Sequence, residues 1–465
     1  MKLEEPEIIF NSPTVNSQTI PDRLSINQEN KLLKILGIGF GLAIVIGGMI
    51  GTGIFRTPGI VAANMGNVWL ILGVWIFGGI YALFGVNTFA ELATTLPEDG
   101  GPYVYIRRAF GNFFGFAGGV NDFIQQSCGN AFIAVAFGEY LGALVPSLDG
   151  RENFLAVVIL VALFAVNWIG LRAGDFAQKL TSFIKVAALF MLIAACFIFG
   201  ENNSAVSSES TAVFSGSLLA VFAAFALSLQ SVMGTYAGWN QATYFSEENT
   251  DPARAIPRAM FGGTLIVMAI YVLINAAMLY VLPIGEIAAS KIPAAVAAVQ
   301  VFGDAGGKII TALALVSILG ILNGSFLTQP RVMFAMSRDG LLPPQGAKVN
   351  AGGTPTVALL TTLIMSVAFA LSGTFESLLA ISAFLNLASD SACYLALFVL
   401  RRREPDLPRP YRAVGYPVLP AIVLIGAWIL LIVYVVGNTV NSLYSIGILL
   451  LLYPAFLIVR RLLKN

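Results

Sequence analysis

The feature that most constrains this chain is a succession of long apolar runs separated by short polar connections. A helix of about 20 apolar residues covers the roughly 30 Å hydrocarbon core of a bilayer. The composition agrees, because 57% of the 465 residues are hydrophobic and only 11% are charged, whereas soluble domains carry about 25% charged residues. The sequence therefore predicts an all-α polytopic membrane protein.

About twelve runs have the length of a transmembrane helix. They lie near residues 34–64, 68–96, 112–146, 152–171, 176–200, 214–246, 258–283, 306–334, 354–372, 376–400, 415–437 and 440–461. The stretch before them mixes both charge signs and lacks the basic start and apolar core of a cleavable signal. We expect a disordered cytoplasmic tail at 1–33.

Lysine and arginine in the short connections predict the orientation, because cytoplasmic loops carry an excess of both. With a cytoplasmic N-terminus, nearly all of the 26 Lys and Arg residues fall inside. The exceptions are Arg56, Arg151, Lys291 and Lys308. We therefore expect an integral protein of the plasma (inner) membrane with both termini in the cytoplasm. The net charge of +1 is explained by this topology and indicates no nucleic-acid partner.

Several function classes are excluded by residues that the sequence lacks. Without any His, a His-dependent catalytic triad, an HExxH zinc site and a haem with an axial His cannot be built. Cys128, Cys196 and Cys393 lie singly in apolar runs, which is unlike a disulfide framework or a CxxC metal site. No GxxxxGK[ST] motif for ATP is present. We predict no enzyme activity, no cofactor and no metal site.

The first apolar run contains "GGMIGTGIF" at residues 47–55. Each Gly costs a helix interior about 1 kcal/mol relative to Ala. Gly51, Thr52 and Gly53 are consecutive and cannot share one packing face, so we expect an unwound segment there, with Gly47 and Gly48 as helix-packing residues. Broken backbone at membrane depth is tolerated only where it is buried in protein or lines a cavity. This break therefore predicts a binding site.

The sixth run is interrupted in the same way by "SVMGTYAGWNQATYFSEE" at residues 231–248. Two broken helices at corresponding positions of two halves are typical of secondary transporters, in which the breaks meet near the bilayer midplane. The spacing predicts a first five-helix repeat at 34–200 and a second, inverted one at 214–400. Two additional helices follow at 415–461.

Five motifs resemble one family in its order along the chain. "IGGMIGTGIFRTPG" is similar to the first-helix signature, and "YAGWNQATYFSEENTDPARAIPRAM" to the sixth-helix signature, of the amino acid-polyamine-organocation (APC) superfamily. "FAELATTLPEDGGPYVYIRRAFG", "RVMFAMSRDGLLPP" and "RRREPDLPRPYRAVGYP" resemble its cytoplasmic stretches. The nearest likeness is to bacterial members related to L-type amino acid transporters. The resemblance implies a LeuT-type five-plus-five fold with helices 1 and 6 broken.

An amino acid needs a positive pole for its carboxylate and a negative pole for its ammonium group. The half-helix that begins near Thr52 and Gly53 offers free N–H groups and a positive dipole end, and carbonyls near 49–50 and 234–235 can accept from the ammonium group. Together with the resemblance, this predicts the substrate-binding residues Ile50, Gly51, Thr52, Gly53, Asn130, Gly234, Thr235, Tyr236, Ala237, Gly238, Asn240 and Asp390.

Two pocket positions depart from the family pattern. Gly234 stands where many L-type relatives carry a gating aromatic residue, which leaves room for a bulkier substrate and makes Tyr236, Trp239 or Phe245 a candidate substitute gate. Ala237 stands where some bacterial relatives carry Asp, which weakens the case for a cationic substrate. Asn130 and Asn240 match pocket positions of relatives. Each has the alternative of an interhelical hydrogen bond.

Lys185 and Asp390 are charged residues inside apolar runs. Lys185 either extends to the membrane interface or places its amine where sodium-coupled members of the fold bind an ion, as in sodium-independent relatives. Asp390 is central in the tenth run and could bind a cationic ligand or relay a proton. Residues 247–258 form either a cytoplasmic gate or a solvated loop.

The combined prediction is a secondary active transporter of neutral amino acids that works by alternating access, as a sodium-independent exchanger or a proton-coupled symporter. A polyamine or cationic amino acid carrier is the alternative, and an ion channel is the alternative of a different class. A partner subunit is left open.

Overall fold

The computed structural model describes residues 32–200, 218–372 and 375–463. Within these ranges the chain forms sixteen α-helices and no strand beyond isolated bridges. In chain order they are α1 (Ile38–Met49), α2 (Gly53–Met65), α3 (Val68–Thr95), α4 (Pro102–Phe110), α5 (Asn112–Leu144), α6 (Glu152–Ile169), α7 (Leu171–Phe199), α8 (Leu218–Tyr236), α9 (Pro252–Val281), α10 (Ile284–Ala289), α11 (Pro293–Phe302), α12 (Asp304–Arg338), α13 (Thr356–Ser372), α14 (Phe375–Arg403), α15 (Val418–Gly437) and α16 (Thr439–Leu462). Most of the tail predicted at 1–33 and the start of the repeat predicted at 214 lie outside the described residues.

The all-α polytopic class is confirmed, and each apolar run of the sequence contains a helix. Among the described residues, eight helices are long and apolar enough to cross a membrane, or nine if α1 and α2 form one bent span. The count of about twelve stays a prediction. Helix α5 is less apolar because it buries polar side chains, among them Asn121, Asp122 and Asn130. The sequence did not predict the short helices α4, α10 and α11.

Helix α12 lies at the centre of the bundle and α16 at its edge. In their most apolar stretches, 61% of α12 is buried but only 28% of α15 and 17% of α16. Helix α12 packs against α5, α7, α11 and α13, while α15 packs mainly on α14 and α16 packs on α14 and α5. The two helices at the end of the chain are therefore peripheral, and the interior is formed by the earlier ones.

Two helices break inside this interior, as the glycines predict. Helix α1 ends at Met49 and α2 begins at Gly53, with a bend of 44° between them. Helix α8 ends at Tyr236 and is followed by a 3-10 turn at Gln241–Phe245. Gly238 has a φ of +107°, and a Cβ there would lie 2.8 Å from the carbonyl carbon of Gly48. The two broken segments therefore touch backbone to backbone, which confirms that they face each other.

Candidate functional site

The start of α2 presents a group of unused hydrogen-bond donors. Within the described residues, the backbone amides of 51–54 have no acceptor, and the first amide with one is that of Phe55, which donates to the Thr52 carbonyl at 3.2 Å. The positive end of the α2 dipole lies at the same place. Gly53 packs so closely on α8 that a Cβ would lie 2.7 Å from Thr235 Oγ1. The predicted residues thus form a helix start with free amide groups, and its packing on α8 leaves no room for a Cβ at Gly53.

The carbonyl groups at the two breaks already have hydrogen-bond partners within the protein. The Tyr271 hydroxyl on α9 contacts the carbonyl oxygens of Met49 at 2.6 Å and Thr235 at 3.2 Å. The Gly234 carbonyl accepts from the Ala237 amide at 3.3 Å. Buried backbone groups require partners even without ligand. Each carbonyl oxygen still has a second lone pair that an ammonium group can use.

Tyr271 was missed by sequence reasoning, and its role is testable. Replacing Tyr271 with Phe should remove the hydroxyl that joins the two breaks and lower the free energy of unfolding by about 1–3 kcal/mol. Thermal unfolding of the purified protein measures this change. The matched control is Tyr280→Phe on the same helix, because no hydrogen bond of the Tyr280 hydroxyl occurs among the described residues. Equal losses in both variants would contradict the assignment.

Lys185 is fully buried, with 0% of its surface exposed. Its Nζ donates to the carbonyl oxygens of Gly47 at 2.8 Å and Ile50 at 2.9 Å. On the α12 side, a Cβ on Gly320 would lie 2.7 Å from the same Nζ. The extension of Lys185 to the membrane interface is therefore wrong. Its ammonium group joins the broken end of α1 to α7 and lies beside α12, and its role in place of a bound ion stays a prediction.

The end of α8 and the turn after it border open space and contain a polar pair with α14. Gly234 is exposed, and a Cβ there would meet nothing within 4 Å. The Asn240 amide donates to Asp390 Oδ1 at 3.4 Å and so joins the turn after α8 to α14. Trp239 packs edge to face against Phe89 of α3, with ring centroids 4.9 Å apart. Ala237 is half-buried in the same turn.

Two predicted site residues direct their side chains to neighbouring helices. Asn130 donates to Gln329 Oε1 at 3.0 Å and Ser366 Oγ at 3.2 Å, which is the interhelical alternative. The Tyr236 hydroxyl donates to the Trp75 carbonyl at 3.0 Å. The structure therefore brings Ile50 to Gly53, the end of α8 and Lys185 together, while these two side chains have structural partners. Their role in binding stays a prediction.

The sequence profile of the amino acid permease family matches residues 42–459. The chain belongs to the amino acid permease family. This permease is therefore an integral membrane transporter of the APC superfamily and not an enzyme.

Curated relatives cover most of the permease. It is 32% identical over 437 residues to the serine/threonine exchanger SteT of Bacillus subtilis, covering 91% of this chain and 95% of that protein. It is 29% identical over 409 residues to the mouse large neutral amino acids transporter small subunit 2, covering 87% and 76%. It is 27% identical over 440 residues to the human b(0,+)-type amino acid transporter 1, covering 90% and 87%.

Charged side chains at one end of the permease form what we call the acid–arginine cluster: Asp99, Glu247, Glu248, Arg331 and Arg338. Glu248 accepts two hydrogen bonds from Arg331, at 2.5 and 2.8 Å, and both side chains are buried. Glu247 pairs with Arg338 at 2.5 Å. The cluster joins the loop after α3, the segment after α8 and the end of α12, which is a gate-like arrangement.

The remaining charges of the 247–258 segment behave differently. Arg254 and Arg258 are exposed, and no ion pair is formed by either within the described residues. The two glutamates of this segment thus form ion pairs with α12 and the two arginines are exposed, while the role of a cytoplasmic gate stays a prediction. The sequence analysis did not identify Asp99 and Arg331 as members of this cluster. Their only signal in the sequence is that they fall in the motifs that resemble the cytoplasmic stretches of the family.

Proposed function

We propose that this permease exchanges neutral amino acids across the plasma (inner) membrane without sodium. The observation that carries the proposal is the group of unpaired amides at 51–54 beside the buried Lys185 ammonium group. The relatives described by name as a serine/threonine exchanger and a large neutral amino acids transporter support the substrate class.

The substrate head group binds between the two breaks. Its carboxylate accepts from the amides of 51–54 at the positive end of α2, which avoids the cost of burying a second full charge. Its ammonium group uses the second lone pairs of the Met49 and Thr235 carbonyls. Its side chain extends into the open space beside Gly234, bordered by Ala237 and Asn240. The absence of a Cβ at Gly234 leaves this space available to side chains larger than serine.

Lys185 replaces a bound cation in this mechanism. An ion between the end of α1 and α12 would need oxygen ligands such as the Gly47 and Ile50 carbonyls, and the Lys185 ammonium group occupies both. A covalently attached positive charge cannot leave with each cycle. Transport by exchange therefore needs no sodium gradient.

Alternating access is proposed on the LeuT-type architecture of twelve helices. The two inverted repeats are 34–200 and 214–400, with the peripheral helices at 415–461 added and both termini in the cytoplasm. The backbone contact between Gly48 and Gly238 supports this pairing of the repeats. In this orientation the acid–arginine cluster closes the cytoplasmic end of the site.

Vesicles containing the purified permease test this function. We expect uptake of labelled serine, threonine or a larger neutral amino acid to require unlabelled amino acid inside, and to be the same with sodium or potassium outside. Uptake driven into empty vesicles by a pH gradient would instead show proton symport. Preferential uptake of arginine or a polyamine would favour the cationic carrier and a ligand role for Asp390. Currents that do not saturate with substrate would show a channel.

A thermal-shift screen provides a second measurement, because a ligand that binds only the folded state raises its apparent stability. Neutral amino acids should raise the unfolding temperature, whereas polyamines should leave it unchanged. Stabilisation by polyamines alone would contradict the proposed substrate class.

A further inference from the structure

The acid–arginine cluster contains more carboxyl groups than guanidinium groups. Glu248 takes the paired N–H groups of Arg331, and Glu247 takes Arg338. Asp99 is the third acid and has neither arginine as a direct partner. It is nevertheless completely buried, with 0% of its surface exposed. The position of its proton is therefore the open chemical question of this cluster.

The two oxygens of Asp99 have different surroundings. Oδ1 accepts from the Glu247 backbone amide at 2.6 Å, and the Asp99 amide in turn donates to Glu247 Oε1 at 3.2 Å. Oδ2 is buried and receives no hydrogen bond within the described residues. Glu248 is buried as well; burial raises its pKa, and a side-chain hydrogen bond with Asp99 lowers it. Two ionised carboxylates cannot bond to each other, because both only accept.

A proton on Asp99 resolves this conflict. The protonated Oδ2 becomes an O–H donor to the Glu248 carboxylate, and Oδ1 keeps the Glu247 amide. Every polar atom of the Asp99 side chain then has a partner, and the cluster holds one less uncompensated negative charge. Burial raises the pKa of Asp99 well above its usual range, the Glu248 and Glu247 carboxylates raise it further, and Arg331 lowers it.

We propose that Asp99 is a proton-binding site of the closed cytoplasmic end, taking a proton from cytoplasmic water when the end closes and returning it there when the end opens. The inference rests on the proposed function. The step is the addition of one proton to a carboxylate, without any other bond being made. Because the proton enters and leaves on the same side, it links transport to cytoplasmic pH without being carried across the membrane.

The sign of the pH effect follows from linkage. In the open state Asp99 faces water and has the ordinary pKa of about 3.9; in the closed state its pKa is raised. The proton therefore stabilises closure, and this stabilisation is lost as the cytoplasmic pH rises through the closed-state pKa. Opening becomes easier as the pH rises.

Other charged and titratable groups face Asp99 from each neighbouring element. They are Glu98 in its own loop, Tyr105 on α4, Glu247 and Glu248 after α8, and Arg331 and Arg338 on α12. Glu98 is 43% exposed and lies 3.6 Å from Arg338, with its carboxylate in water. It is the matched control, because Glu98→Gln removes a negative charge one residue away without touching the buried proton.

The test is the exchange rate of a neutral amino acid between about pH 5 and pH 8, with equal pH on both sides of the vesicle membrane. When opening of the cytoplasmic end limits exchange, the exchange rate of the wild-type protein should rise by as much as about tenfold for each unit of increase in pH. Asp99→Asn should remove this dependence of the exchange rate on pH, because the Asn side-chain amide can donate to Glu248 and accept from the Glu247 backbone amide at every pH. Glu98→Gln should keep this dependence. In sided vesicles, only the pH of the cytoplasmic face should matter.

The proton site would be overturned if Asp99→Asn kept the pH dependence of the wild-type exchange rate. It would also be overturned if that rate followed the pH on the side of the membrane opposite the cytoplasmic face. In both cases exchange itself would still be established. Absence of exchange in wild type at every pH would instead overturn the proposed function. The proton site then remains testable through thermal unfolding of the purified protein. Stability should fall as pH rises in wild type, because unfolding releases the Asp99 proton, and Asp99→Asn should weaken this dependence. Identical pH dependence in both proteins would overturn the proton site.

Discussion

Replacing Lys185 with methionine should reduce exchange at least about a hundredfold while the protein still folds. The Met side chain fills a similar volume, so packing between α7 and α12 is retained. The carbonyl oxygens of Gly47 and Ile50 lose their charged donor, at a cost of about 1–3 kcal/mol for buried acceptors. Without this donor the broken end of α1 is no longer held beside the amides that bind carboxylate. Exchange in vesicles and thermal unfolding measure the two effects separately.

The matched control is Lys179→Met on the same helix. Lys179 is half-exposed and pairs with Asp175 at 2.8 Å, and such surface pairs contribute little to stability. We expect wild-type exchange in this variant. Wild-type exchange in Lys185→Met as well would remove Lys185 from the mechanism.

Gly238→Ala should have the second large effect. The φ of +107° at this position is one that residues with a side chain rarely adopt, and forcing it costs about 1–2 kcal/mol. The new Cβ would also lie 2.8 Å from the Gly48 carbonyl carbon, and backbone cannot yield as a flexible side chain can. We expect the two breaks to separate and the exchange rate to fall by at least about tenfold, with a lower unfolding temperature.

Gly234→Ala is the control for this substitution, because a Cβ there meets nothing within 4 Å. It should preserve folding and exchange of small amino acids, and reduce the affinity for the largest substrates by narrowing the open space. If Gly234→Ala and Gly238→Ala lowered the exchange rate and the unfolding temperature to a similar extent, the proposed difference between them would be contradicted. That difference is that Gly234 leaves space for substrate, whereas Gly238 allows backbone contact.

Local sequence patterns predicted the parts of the site that depend on backbone. Gly51, Gly53 and Gly238 are glycines in apolar runs, and at membrane depth an interruption of this kind has few explanations other than a buried site. Lys185 was also identified, but its two alternatives were separated only by the structure, which buries its ammonium group against Gly47 and Ile50. For Asn130, local sequence patterns could not decide between a pocket role and an interhelical hydrogen bond, because its partners Gln329 and Ser366 are distant in sequence.

The sequence alone determines the class of this protein: apolar runs long enough for a bilayer, helix breaks in two of them, and motifs of a permease family. These features are local, because the length of an apolar run, its glycine content and the charge of a short connection can each be read from neighbouring residues in the sequence. Only the tertiary structure shows that Tyr271 joins the two breaks and that Asp99 is buried with an oxygen lacking a donor. Such partners come from helices far apart in the chain, and no local pattern specifies which polar groups a packed bundle brings together.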